Sequence, residues 1–294
     1  MISALKSELH TFYSKIFVWI MTLLLLLPIC WFMGNSYRNI YYSMENELSY
    51  IYDAQQAIEE MDMEYDLSGE YNILLDMVSV VTPENAINNT MMVFIGIGTI
   101  AMPILFALYI GSEYTNNQIQ LKMVHYKLVR VIAAKIIVLS TYLIGITILL
   151  AVVGQYIANY HWNVYSETIG AVNSYIKLPD LGINYRLILI TVVMLIFYSF
   201  ISFLVAMLAK NSVVGIVSSV VIVYGESYIL NSSMPKWIFY NWLNENTVTY
   251  DSSFVEFAMP NKVAPHGTVL SMLIMSTYFV ILFGGIFTLS KRKS

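Results

Sequence analysis

Between Gly111 and Lys135 the sequence reads GSEYTNNQIQLKMVHYKLVRVIAAK, a polar and basic stretch set between two long apolar runs. Its chemistry-bearing residues are Glu113, the amides Asn116, Asn117 and Gln118 with Ile119 beside them, and the bases Lys122, Lys127, Arg130 and Lys135. These types in this order suit ion pairing and protein contact, not bond making. Glu113 closes an apolar run, so as part of a helix it sits at the C-terminal end, where the macrodipole disfavours a negative charge. A basic neighbour is therefore expected, and Lys122 and Lys127 are the candidates. Paired in that way, the loop is stiff enough to transmit movement. Read more plainly, the same bases only hold an ordinary loop on the inner side of a membrane.

Glu226 is the one acid inside an apolar run. It lies about 8 Å of helix rise below the outer end of that run. Two readings stand side by side: a carboxylate lining a pathway, and one that reaches the outer interface or pairs with Lys236. Pro103, with Gly96 and Gly98 in the same run, suits either a candidate hinge on a pathway or a kink that is only structural. The segment Pro235 to Leu243 carries Trp237, Phe239, Tyr240 and Trp242, which suit either an outer gate or an aromatic belt. Other chemistries lack their residues. There is no G-x-x-x-x-G-K-[ST] to cradle ATP phosphates and no H-E-x-x-H. The four histidines (His10, His125, His161, His266) are scattered beside a single cysteine, Cys30, so neither a zinc site nor an intrachain disulfide is expected. No serine has a plausible base beside it in sequence.

What must position these residues is a membrane. Of the 294 residues 58% are hydrophobic and 12% charged, with a mean hydropathy of +0.65, whereas a soluble domain carries about 25% charged residues. Crossing about 30 Å of hydrocarbon takes roughly 20 apolar residues as a helix. Six runs answer to that, at 16–33, 91–111, 131–157, 187–209, 212–231 and 269–289. The expected fold class is an all-α membrane protein of six transmembrane helices. Around the spans, residues 1–15 read as an amphipathic interfacial helix with an apolar stripe of Ile2, Leu5, Leu9, Phe12 and Ile16. The 16–33 run is too long for a signal peptide and lacks a small-residue cleavage site, so it reads as an uncleaved anchor. Residues 34–90 hold eleven acids against Arg38 alone and read as a small, helical, acidic extracellular domain. Residues 112–130 form a cytoplasmic loop, and 232–268 an extracellular interfacial or re-entrant hairpin. Lys210-Asn211 leaves room only for a tight turn, so the fourth and fifth spans are antiparallel neighbours. With the N-terminus inside, ten of the fifteen Lys and Arg fall on the inner side, and positive-inside then places both termini in the cytoplasm.

Glu113-Tyr114, then Asn116-Asn117-Gln118-Ile119-Gln120-Leu121-Lys122, then Arg130 and Lys135 entering the next run, resembles the pattern of ABC-2 type permeases. In that family an acid after the second span precedes a segment reading like NGTIRNK; here Asn117-Gln118 stand where Gly-Thr is usual. The interfacial helix, six spans and extracellular hairpin match the family's layout over the whole chain. The resemblance implies that Glu113, Asn116, Asn117, Gln118, Ile119, Lys122 and Arg130 couple the chain to a separate P-loop ATPase subunit. It implies further a homodimer or a second permease subunit, surrounding membrane lipid and no nucleic acid. ATP and Mg belong to the partner, and no cofactor is expected on this chain. The implied setting is the bacterial plasma membrane. Export of peptides or other amphiphilic substrates, as in antimicrobial-peptide export or self-protection, is the implied function. An ion- or proton-coupled secondary transporter and a membrane-embedded enzyme are the alternatives. The first needs repeated halves and ionisable groups near midplane, and the second needs paired catalytic residues at one depth.

Overall fold

In hydrocarbon no water satisfies backbone N–H and C=O groups, so long apolar runs close their hydrogen bonds internally as helices. The computed structural model describes residues 2–61, 66–177, 184–226, 228, 233–246 and 267–291. Among them are eleven α-helices and no strand. They are α1 (Ile2–Ser14), α2 (Ile16–Met61), α3 (Ser68–Val81), α4 (Ala86–Thr115), α5 (Gln118–His125), α6 (Leu128–Val164), α7 (Ser166–Tyr175), α8 (Tyr185–Ala209), α9 (Ser212–Gly225), α10 (Pro235–Asn246) and α11 (Thr268–Lys291). Five of them, α2, α4, α6, α8 and α11, are long and apolar enough to cross a membrane. The chain is thus an all-α, multi-pass membrane protein.

Several boundaries differ from those read in the sequence. The 16–33 run is the first part of one unbroken helix of 46 residues, about 69 Å long, so no backbone break separates the first span from the acidic segment. Beyond the span, α2 is met by α3 and α7: Tyr71 accepts a hydrogen bond from Gln55 and stacks on Tyr175, while Thr168 donates to Glu45. The third apolar run extends to 37 residues as α6, beginning at Leu128. The fifth run is helical over only 14 described residues, about 21 Å, and residues 227 and 229–232 lie outside the described set. Of the 232–268 hairpin, residues 247–266 also lie outside it.

The centre of the bundle is α4, which packs most extensively on α8 and α9. Small residues let these backbones approach. A Cβ at Gly111 would fall on the backbone of Ser212, the first residue of α9. One at Gly215 would come within 2.9 Å of the Ala107 Cβ and 3.0 Å of the Ser202 carbonyl. The Ser202 hydroxyl donates to the Gly215 carbonyl at 2.8 Å, closing the α8–α9 hairpin. Lys210, in a left-handed conformation at φ 53°, turns the chain between them, and the Asn211 side chain accepts from the Val213 N–H at the start of α9.

Because the neighbour at Gly111 is backbone, it cannot swing aside. Gly111→Ala is expected to cost about 1–3 kcal/mol, read as a lowered melting temperature in detergent. Gly145→Ala, where an added Cβ meets nothing within 4 Å, is expected to leave it unchanged or slightly raised.

Candidate functional site

Where α4 ends and α6 begins, α1 lies against α6, and α5 fills the corner between α4 and α6. Only part of the apolar stripe of α1 turns inward: Phe12 is buried and Leu5 packs against the core. Ala4, Glu8 and Phe12, spaced four apart, are buried, while Ile2, Leu9 and Ile16 are exposed. The inward face of α1 thus combines a small, an acidic and an aromatic residue, while Lys6 and His10 share the outer side with Ile2 and Leu9.

Glu8 is thereby brought to Glu113. Its Oε1 accepts from Lys122 Nζ at 2.7 Å, and its Oε2 accepts from Lys135 Nζ at 2.6 Å and from the Tyr109 hydroxyl at 2.6 Å. Glu113 Oε2 meets Lys135 Nζ at 2.7 Å, and both its oxygens accept from Lys122 Nζ at 3.1 Å. Lys15 joins at 3.4 Å to Glu113 Oε1 and 3.2 Å to Ser112 Oγ. The Tyr109 ring carries Lys15 Nζ at 4.6 Å and Lys135 Nζ at 4.1 Å from its centroid. Phe12 meets that ring edge-on at 5.0 Å and the Tyr142 ring at 5.1 Å. Two carboxylates and three ammonium groups from α1, the α1–α2 junction, α4, α5 and α6 thus form one buried set.

Taking a charge out of water costs several kcal/mol, and only close opposite charges with satisfied hydrogen bonds offset it. Three of the four carboxylate oxygens have two donors each, and Glu8 Oε1 has Lys122. Burial pulls the Lys122 ammonium down, yet Glu113 and Glu8 outweigh it and hold its pKa above the ordinary lysine value. At Lys15 burial prevails over the weaker pull of Glu113, and its pKa lies below that value.

Lys122 is therefore the expected partner of Glu113, whereas Lys127 is exposed and caps the start of α6. The sequence did not single out Glu8, Lys15 or Tyr109 for this site, and it read Lys135 only as a basic residue at the entry to a span. Of the other expected coupling residues, Asn116, Asn117 and Arg130 are exposed, Gln118 is half-buried and Ile119 is buried under α5. Asn117 adopts the left-handed conformation at φ 55°, which Asn tolerates better than most residues. It turns the chain from α4 into α5, whose outward side leaves Leu121 and Val124 68% and 76% exposed.

At the far end of α9, Glu226 Oε2 accepts from the Tyr198 hydroxyl at 2.9 Å and from the Lys236 backbone N–H at 3.0 Å. It thus ties α8 and α9 to the first turn of α10. The Lys236 ammonium donates to the Val223 carbonyl. Trp237, Phe239 and Tyr240 are buried and Trp242 half-buried, with Phe239 near the rings of Phe197, Tyr198 and Trp242. Pro103 is buried in the middle of α4. These residues do not join the ion cluster. Among the described residues no group of three or more His, Cys, Asp or Glu side chains could hold a metal ion.

No family model, curated protein or solved structure matches the chain.

Removing one partner from a buried ionic set leaves the others uncompensated. Glu8→Ala and Glu113→Ala are each expected to destabilise the protein by about 3–5 kcal/mol. Arg130→Ala, at an exposed position, should stay within about 0.5 kcal/mol. Thermal or denaturant unfolding in detergent measures all three.

Proposed function

We propose that the chain is the permease subunit of an ABC-2 type exporter and that α5 is the helix on which a separate P-loop ATPase acts. The observation that carries this reading is α5 itself. It is a short helix between two spanning helices, bound at Lys122 to α1 and α4, with Leu121 and Val124 turned outward. A segment that receives force must be rigid on its inner side and available on its outer side, and α5 has both properties. The left-handed Asn117 stands where the family pattern has glycine, a residue that takes positive φ without strain. The missing P-loop means that any ATP drive comes from a partner, to which ATP and Mg belong.

In this reading closure of the ATPase subunits displaces α5. Lys122 passes the displacement to Glu113 on α4 and Glu8 on α1, and Lys135 passes it to α6. Two residues before Glu113, Gly111 lies against Ser212, so the end of α4 carries α9 with it. In this reading the fifth apolar run is the remaining one of six spans, and both termini face the cytoplasm of a bacterial plasma membrane. The permease works as a homodimer or beside a second permease subunit. The acidic segment after the first span and the apolar character of the bundle favour peptides or other amphiphilic molecules as substrate, in antimicrobial-peptide export or self-protection.

Tagged chain purified from its native cells is expected to bring down vanadate-sensitive ATP hydrolysis. Leu121→Asp with Val124→Asp is expected to lower that co-purified activity more than tenfold while the melting temperature stays unchanged, because both side chains are exposed. Hydrolysis that never co-purifies, or that survives the double substitution undiminished, contradicts this role for α5.

A further inference from the structure

The cluster holds three ammonium groups against two carboxylates. Lys122 and Lys135 each bridge both carboxylates at 2.6–3.1 Å, and Tyr109 takes a further lone pair of Glu8. Of the two carboxylates Lys15 reaches only Glu113, at 3.4 Å, and its other neighbours, the Ser112 hydroxyl and the Tyr109 ring, are neutral. Helix ends do not alter this count. The C-terminus of α1 meets the N-terminus of α2 at Lys15, and the C-terminus of α4 meets the N-terminus of α5 at Asn116 and Asn117. Partial charges of about half a unit cancel in each pair. The unbalanced positive charge therefore falls on Lys15. The Lys15 side chain keeps 15% of its surface open, whereas that of Lys135 is sealed. Lys122 is equally open but faces two carboxylates.

The surroundings indicate what meets that charge. The elbow between α1 and α2 is flanked by Tyr13, Ile16 and Trp19, which are 41%, 75% and 54% exposed. The Trp19 indole donates to the Tyr13 carbonyl at 2.9 Å, which fixes the ring at the elbow. Tyr and Trp in such positions sit at headgroup level, with apolar neighbours in the acyl region. Lys15 stands between Tyr13 and Ile16 in the chain, at that level, and of its ammonium's three donors two are engaged within the protein.

We propose that Lys15 is an oxyanion site filled by the phosphate of an anionic lipid headgroup. The bound lipid completes the charge balance of the cluster and fastens the α1–α2 elbow to the membrane surface. Free phosphate shares the chemistry but brings no acyl chains for Ile16 and Trp19 to cover. The site depends on the membrane-embedded fold alone and not on the transport reading.

Native mass spectrometry of the full chain, released from detergent after titration with dioleoylphosphatidylglycerol, dioleoylphosphatidylcholine or inorganic phosphate, tests it. The wild type is expected to retain phosphatidylglycerol in preference to phosphatidylcholine. Lys15→Gln is expected to weaken that retention about fivefold, the factor one lysine is worth near an anionic surface. Lys15→Arg should preserve it, and Lys6→Gln, at an exposed position on α1, should leave it unchanged. Retention of inorganic phosphate without preference between the two lipids overturns the lipid as occupant. Equal phosphatidylglycerol retention by wild type and Lys15→Gln overturns the site. Absence of a phosphatidylglycerol preference in the wild type overturns the lipid assignment even if the Gln variant fails to fold.

Discussion

A carboxylate withdrawn from water must be met by positive charge, and Glu8 and Glu113 have only the lysines beside them to meet it. The arrangement at this end of the molecule follows from that requirement. α1 lies where it does because Glu8 must reach Lys135 and Lys122. α5 stays folded against the bundle, although it is only eight residues long, because Lys122 holds it there. An isolated helix of that length is unstable in water, so its persistence depends on its partners. Tyr109 extends the same logic, offering its hydroxyl to a carboxylate and its ring face to two cations.

The cluster differs from a surface ion pair in what it transmits. Exposed pairs contribute roughly 0–1 kcal/mol and yield easily. Here the members come from five parts of the chain, and none can move far without stranding another. An outward-facing apolar pair on α5, an ionic inner face and the close Gly111–Ser212 approach together form a continuous contact path from α5 to α9. The other carboxylate in an apolar run, Glu226, serves the opposite end differently, by fixing the first turn of α10 against α8 and α9.

The helical membrane class was legible because composition and run length alone require it. So was a lysine partner for Glu113, since an acid at a helix C-terminus calls for a base within reach, though Lys122 and Lys127 stood equal. Glu8 was not legible, because an amphipathic pattern separates apolar from polar residues without saying which side faces lipid. On α1 Ile2 and Leu9 face outward, and Ala4, Glu8 and Phe12 face the protein. The one available signal was the spacing of four between a small, an acidic and an aromatic residue. Lys135 was read as a topological charge because the third span was placed from Val131. With α6 starting at Leu128, it lies two turns inside the helix, too deep for a loop residue. The continuity of α2 past residue 33 was hidden because the charged sequence after the apolar run still favours helix.

The central claim is that α1 and α5 are joined energetically through Glu8 and Lys122. A double-mutant cycle with Glu8→Gln, Lys122→Met and the pair, scored by unfolding free energy in detergent, measures that link directly. The account predicts a coupling of about 1–3 kcal/mol, with the double variant less damaged than the sum of the singles. Effects that add to within about 0.5 kcal/mol would contradict it.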